Sequence, residues 1–391
     1  MTTTFPTFPT PFAEPPYLAG LPSPYHTPSH LKWQRDIRAF IEENLLQHAY
    51  EWDAQETVPP HVFDKFAEAN MLVPNLPAPL PVEWLKELGR GELLGGLKVE
   101  DFDYLHGAIY CDEMARAGIA GPSASLTVGM AFGVPPIIKY GSPALQRRFL
   151  PALLTGAARA CIAITEPDAG SDVANIATTA TKTADGKHYV VNGAKKWITN
   201  GIWSDYAAMA VRTGGEGSGA VTNFNHERLT IAIGTTRSAR VAIASATAYV
   251  MRREAFGKPL IDQPVVRHRL AKAGAELESL QAWVDQFVYQ MTRLSKEDAD
   301  VQLGGLTALA KARAGMVFDE CARCAVLLFG GNGYTRTGQG EIAERLYREV
   351  PGQRIPGGSE DVLLDLAIRQ LVKNYRNKTK ALERPSGSSK L

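Results

Sequence analysis

Two short segments carry the side chains best suited to chemistry. Residues 163–172 read Ala-Ile-Thr-Glu-Pro-Asp-Ala-Gly-Ser-Asp and follow an apolar run over residues 160–164. A buried strand ending in such a loop leaves backbone N–H groups and hydroxyls free to bind a ligand. Residues 195–201, Lys-Lys-Trp-Ile-Thr-Asn-Gly, read as a second apolar strand that carries an aromatic ring and a hydroxyl. Cys321 and Cys324 have the spacing of a redox or zinc pair, yet no second Cys or His pair accompanies them. They read as small apolar residues of a packed helix, and no metal site is expected. No Gly-x-Gly-x-x-Gly follows a strand, so a nicotinamide dinucleotide site is not supported.

The two segments resemble the flavin-binding middle domain of the acyl-CoA dehydrogenase family. Three further elements follow in the family's order. Arg253-Glu-Ala-Phe-Gly-Lys-Pro-Leu260 resembles its Arg-x-x-Phe-Gly element, and Leu328-Phe-Gly-Gly-Asn-Gly-Tyr334 its glycine turn. Arg345-Leu-Tyr-Arg348, with Gly357-Gly-Ser-Glu-Asp361 after it, resembles the C-terminal signature. The likeness extends over about residues 28–378.

The resemblance implies FAD-dependent removal of an α proton and a β hydride from an acyl-CoA thioester, leaving the trans-2-enoyl-CoA. It implies flavin contacts from Ile164, Thr165, Gly170 and Ser171, then from Trp197, Ile198 and Thr199, with Ser171 also near the acyl thioester. Arg253 is implied to bind the pyrophosphate of a neighbouring subunit's flavin. Phe329, Gly330 and Gly331 are implied to let backbone approach the adenosine part. The family's usual Gln before that turn is Leu327 here. The chemistry needs a carboxylate base in a site dry enough to raise its proton affinity. Family members hold that base in one of two places. One position is Pro356 here and cannot act; the other is Glu227, in Asn223-Phe-Asn-His-Glu-Arg-Leu229. Helix dipole and burial pull the Glu227 pKa in opposite directions, and the sequence does not say which wins. Glu360 reads as a positioning residue near the flavin, and Arg228 as a contact to the acyl-CoA.

Composition sets the frame. The chain has 391 residues, 45% hydrophobic and 21% charged, with a formal net charge of +1. That balance gives no electrostatic case for nucleic acid or an anionic membrane, and no apolar run approaches the roughly 18 to 20 residues that cross a bilayer. Four cysteines make no disulfide framework in a chain this long. The last residues, Ser389, Lys390 and Leu391, match a peroxisomal address read by an import receptor. Residues 1–26 lack Arg and are interrupted by Pro, unlike a mitochondrial transit peptide.

The fold expected is mostly α with a small β domain. Residues 1–27 form an extended arm, and residues 28–160 a helical domain. Residues 161–222 form a truncated antiparallel β-barrel, and residues 223–380 a four-helix bundle. Residues 381–391 form a flexible tail. The truncation is the departure from the family pattern. Between Arg212 and Asn223 stands only a Gly- and Ser-rich connector, where family members carry further barrel strands. Exposed strand edges are expected there. Partners implied are the acyl-CoA, an electron acceptor (electron-transferring flavoprotein or oxygen) and further copies in a homodimer or homotetramer. A non-catalytic scaffold is the alternative that the missing strands raise, and acyl-CoA oxidase-like chemistry the alternative that the peroxisomal address raises.

Overall fold

The computed structural model describes residues 10–214 and 225–383, with side chains described as far as residue 379. The expected address at Ser389, Lys390 and Leu391 lies outside the described residues.

Helix α1 (Pro28–Ile41) opens with Pro in its first turn, where a missing N–H costs nothing. Its buried residues Trp33, Ile37 and Ile41 recur every four positions and define one face. Seven helices follow: α2 (Ala49–Ala54), α3 (Pro60–Glu68), α4 (Val82–Glu87), α5 (Tyr104–Met114), α6 (Gly121–Val128), α7 (Pro135–Tyr140) and α8 (Pro143–Thr155). Their apolar faces close one core that includes Trp33, Phe66, Leu85, Tyr110 and Leu150. Helix α8 stops at Gly156, with φ of 79°, where a Cβ would sit 2.4 Å from that of Ala67. Only glycine permits both the left-handed turn and that approach.

The period then changes. Strands β1 (Ala160–Ala163) and β4 (Tyr206–Met209) pair in parallel, while β2 (Thr179–Lys182) and β3 (Tyr189–Asn192) form an antiparallel hairpin. A bridge from Thr179 to Arg212 ties the two pairs together. Two expectations need correction. The described strands do not make an antiparallel barrel, since β1 and β4 run parallel. Residues 197–199 are not a strand; they lie in an irregular segment in which Trp197 takes φ of 61°. The second follows from pairing: a strand needs a hydrogen-bonded neighbour, and no described strand pairs with residues 197–199. All four residues of β3 are exposed, and β2 is its one partner among the described strands, so its other edge is open.

The C-terminal part returns to helix: α9 (Asn225–Arg252), α10 (Pro264–Arg293), α11 (Lys296–Gln302), α12 (Gly304–Phe329), α13 (Glu341–Arg354) and α14 (Glu360–Glu383), with a two-residue hairpin β5 (Glu254–Ala255) and β6 (Lys258–Pro259) between α9 and α10. Helices α9 and α12 make the bundle's main contact. Small buried residues, Ala232, Ala239, Ala242 and Ala246 on α9 and Ala310, Ala314, Ala322 and Ala325 on α12, let the two axes come close. Leu105 of α5 joins this core, so the two helical regions share a seam along α5, α9 and α10.

Charge is buried at that seam. Arg237 and Arg240 are 2% and 0% exposed. Arg237 binds Asp112, with Nε 2.9 Å from Oδ1, and Arg240 binds Glu278 at 2.7 Å. Residues 10–27 dock on the same place: Glu14 accepts from Arg38 at 2.9 Å and from Arg237 at 3.3 Å, and the carbonyls of Phe12 and Glu14 accept from Arg240. Such groups tolerate burial only when paired.

Candidate active site

Glu227 stands in the first turn of α9. Asn225 fixes that turn: its side-chain amide donates to the Ala299 carbonyl at 3.4 Å and its Oδ1 accepts from the Thr307 hydroxyl at 3.4 Å. Burial raises the Glu227 pKa, against a first-turn amide and the charges of Lys296 and Arg228, which lower it. The contest left open by the sequence is thus decided for burial. A carboxylate held above its ordinary range is suited to take a proton from a weak carbon acid.

The loop that carries Pro356 lies against the same turn. Arg228 is buried, and its Nε donates to the Gly357 carbonyl at 3.4 Å. A Cβ on Gly357 (φ 71°) would sit 2.8 Å from Ile231. The loop and the first turn of α9 therefore meet, and of the two alternative base positions Glu227 is the one that is a carboxylate. Beneath the loop lies Lys311, 2% exposed, whose ammonium donates to the carbonyls of Arg354 at 2.6 Å and Gly358 at 2.7 Å. Burial, aided by the Arg228 charge, lowers its pKa to about 8. Glu360 pairs with Arg354 at 2.5 and 3.0 Å. It therefore anchors the loop's base, which suits a positioning role. Sequence reading did not single out Lys311. Its signal was a Lys three residues after Ala308 on an apolar helix, within the stripe that α12 buries.

The first loop and the Trp197 segment meet. The Lys196 N–H donates to the Thr165 carbonyl at 2.9 Å, and the Lys195 ammonium to the Ile164 carbonyl at 2.9 Å and to Glu166 at 2.8 Å. Burial opposes ionisation of Glu166, yet Lys195 and the amides of residues 177 and 178 hold its pKa down to about 2. This buried pin, also missed in the sequence, brings Ile164 and Thr165 beside Trp197.

The same segments fit a flavin. Trp197 is 79% exposed, with the Lys196 ammonium over its ring at 4.8 Å from the centroid. A Cβ on Gly170 would meet nothing within 4 Å, so the loop leaves open space over its backbone. The hydroxyls of Thr165, Ser171 and Thr199 find no partner among the described residues. Arg253 and the Phe329–Gly331 turn are elsewhere. Helix α9 has 28 residues, so at 1.5 Å per residue Arg253 stands about 40 Å from Glu227. Phe329 stacks on Tyr249 with ring centroids 4.4 Å apart, four residues before Arg253, so these two elements share the far end of the bundle. The Phe329 side chain belongs to the core, so only its backbone is left to face a ligand at this turn. Gly330 and Gly331 are open, with nothing within 4 Å of an added Cβ.

One cluster among the described residues has metal-ligand geometry: His30, Asp103 and His106, with ligand atoms within 4.8 Å. Its members satisfy one another. The Thr27 N–H donates to Nδ1 of His30 at 2.9 Å, so the proton sits on Nε2, which donates to Asp103 at 3.1 Å. The cluster is a helix-capping network.

Comparison with known proteins completes the picture. The N-terminal, middle and C-terminal domain models of acyl-CoA dehydrogenases match residues 27–157, 161–247 and 215–372. The acyl-CoA dehydrogenase apdG of Emericella nidulans is 60% identical, over 95% of this chain and 97% of that protein. That alignment runs over 427 positions, more than the 391 residues present here, so the relative carries residues that this chain lacks. The acyl-CoA dehydrogenase AFT10-1 of Alternaria alternata is 30% identical, over 92% of this chain and 95% of that protein. Among solved structures, a putative acyl-CoA dehydrogenase of Mycobacterium smegmatis superposes with a TM-score of 0.75 at 26% identity, over 90% of this chain and 99% of that one. The chain belongs to the acyl-CoA dehydrogenase family and is an FAD-dependent oxidoreductase of acyl-CoA thioesters.

Proposed function

We propose that Glu227 is the base that removes the α proton of the acyl-CoA, yielding the trans-2-enoyl-CoA. The observation that carries this reading is the half-buried place of Glu227 on the first turn of α9, where desolvation raises its pKa, beside a loop whose rival position is Pro356. Bound FAD supplies the hydride acceptor for the β carbon. The chain's own residues do the rest. Glu227 accepts the proton on a carboxylate oxygen, and burial brings its proton affinity toward that of the thioester α carbon. Arg228, Lys311 and the Arg354–Glu360 pair hold the Gly357 loop in register with that carboxylate. Ile164, Thr165, Gly170, Ser171, Trp197, Ile198 and Thr199 hold the flavin, with Ser171 also facing the thioester. The test is Glu227→Gln, which should keep FAD and lose turnover by about 10² to 10⁴. Near-normal turnover would move the base elsewhere.

Three finer points belong to the same proposal. Arg253, Gly330 and Gly331 complete the flavin site of a second copy in a homodimer or homotetramer, because about 40 Å of helix separates them from Glu227. Electrons leave to an electron-transferring flavoprotein or to oxygen, and peroxide release during turnover separates the two. Where Leu391 ends the chain, Ser389, Lys390 and Leu391 direct it to peroxisomes through the import receptor. Deleting them from a tagged protein should release it to the cytosol, and continued import would exclude them as the signal.

A further inference from the structure

A small cavity of about 40 Å³ lies between α5 and the start of α9. Pro74, Leu76, Phe102 and Ile233 give it apolar walls, and Tyr104 and His226 are its polar members nearest the first turn of α9. His226 directly precedes Glu227, so their Cα atoms are about 3.8 Å apart. The Tyr104 ring meets the His226 ring edge to face, with centroids 5.9 Å apart and planes at 62°.

One buried polar atom here is unsatisfied. Nε2 of His226 is buried without a partner. The Tyr104 hydroxyl finds none among the described residues, and the nearby Glu227 charge, after burial, raises its pKa. A buried donor or acceptor left alone calls for an explanation. The His226 ring is neutral, since burial lowers its pKa to about 4. Its other edge faces the Asn75 backbone in a contact that favours a ring proton there. That leaves Nε2 as an acceptor. A hydroxyl can donate to Nε2 and accept from the Tyr104 O–H at once. A methyl group can do neither, and a carbonyl only the second.

We propose that His226 and Tyr104 form a polar end of the acyl pocket and select acyl-CoA thioesters that carry a hydroxyl a few bonds beyond the reacting carbons. The assignment rests on reading Glu227 as the base, whose chain neighbour His226 lines this cavity. Glu227 takes the α proton while His226 and Tyr104 grip the chain further along. Selectivity then comes from the buried Nε2 of His226, because a ligand without the hydroxyl leaves it unpaired.

The test uses the FAD-loaded full chain carrying Glu227→Gln, so that binding is read without turnover. Calorimetric titration compares pentanoyl-CoA, 4-hydroxypentanoyl-CoA and 4-oxopentanoyl-CoA. The hydroxy ester should bind about 10-fold or more tightly than pentanoyl-CoA. Adding His226→Phe should remove that preference while keeping a ring in place. Adding His226→Gln, which restores an acceptor oxygen, should recover part of it. Equal affinities, as when a water fills the cavity, would overturn the proposal. So would tightest binding of the oxo ester, or no binding of any of the three. Turnover of pentanoyl-CoA by Glu227→Gln alone would instead overturn the base assignment, whatever the order of affinities.

Discussion

Replacing Lys311 by Met probes the support beneath the active-site loop, and its effect has a computable pH signature. The ammonium is buried at 2% exposure and donates to two carbonyls of the loop. In the unfolded chain a lysine ionises near 10.5, whereas Lys311 in the fold does so at about 8. That gap corresponds to about 3 kcal/mol of disfavoured charge. The sign is the reverse of a lysine that gains a carboxylate partner. Between pH 8 and 10.5 the unfolded chain holds a proton that the folded chain has shed, so stability from this group rises with pH and is lost as pH falls toward 8. Lys311→Met removes the titration and leaves the Arg354 and Gly358 carbonyls unpaired, a cost that does not depend on pH. The assay is urea unfolding of the FAD-loaded protein, followed by circular dichroism at several pH values. The difference between wild type and Lys311→Met should move by about 3 kcal/mol in favour of wild type from pH 8 to 10.5. A flat difference, or one that moves the other way, would refute the reasoning.

Other expectations follow from the same geometry. Because burial raises the Glu227 pKa, kcat/KM should fall on the acid side at a pH above the ordinary carboxylate range, and the residual rate of Glu227→Gln should lack that limb. Arg237→Met strands the buried Asp112 carboxylate and should cost about 3 to 5 kcal/mol, while the double change with Asp112→Leu should recover most of it; equal costs for both would contradict the pairing. Arg253→Ala should weaken FAD retention about 10- to 100-fold. If Arg253 serves a neighbouring copy, the wild-type protein should sediment as an oligomer, and a monomer with full FAD occupancy would contradict that.

How much was legible in the sequence depends on the range of the forces involved. Helical stripes such as Leu229, Ala232, Ile233 and Ile243 on α9 are local patterns, and the long helices were readable from them. So was the open edge of β3, since a Gly- and Ser-rich connector cannot supply strands. Trp197 shows the limit: an apolar triplet reads as a strand, but a strand needs neighbours, and no described strand pairs with this one. The residues that hold the site were the least visible. Lys195 meets Glu166 from 29 positions away, Lys311 meets Gly358 from 47, and Arg237 meets Asp112 from 125. No local pattern announces such partners. The direction of the Glu227 pKa likewise waited on burial by elements distant in the chain.

The most direct test of Glu227 as the base is anaerobic rapid mixing of the FAD-loaded protein with an acyl-CoA that wild type oxidises, following the yellow flavin band. Wild type should bleach within a single turnover. Glu227→Gln, with equal FAD content and equal affinity for the thioester, should bleach slower by about 10² to 10⁴. Bleaching at the wild-type rate in that variant would contradict the account.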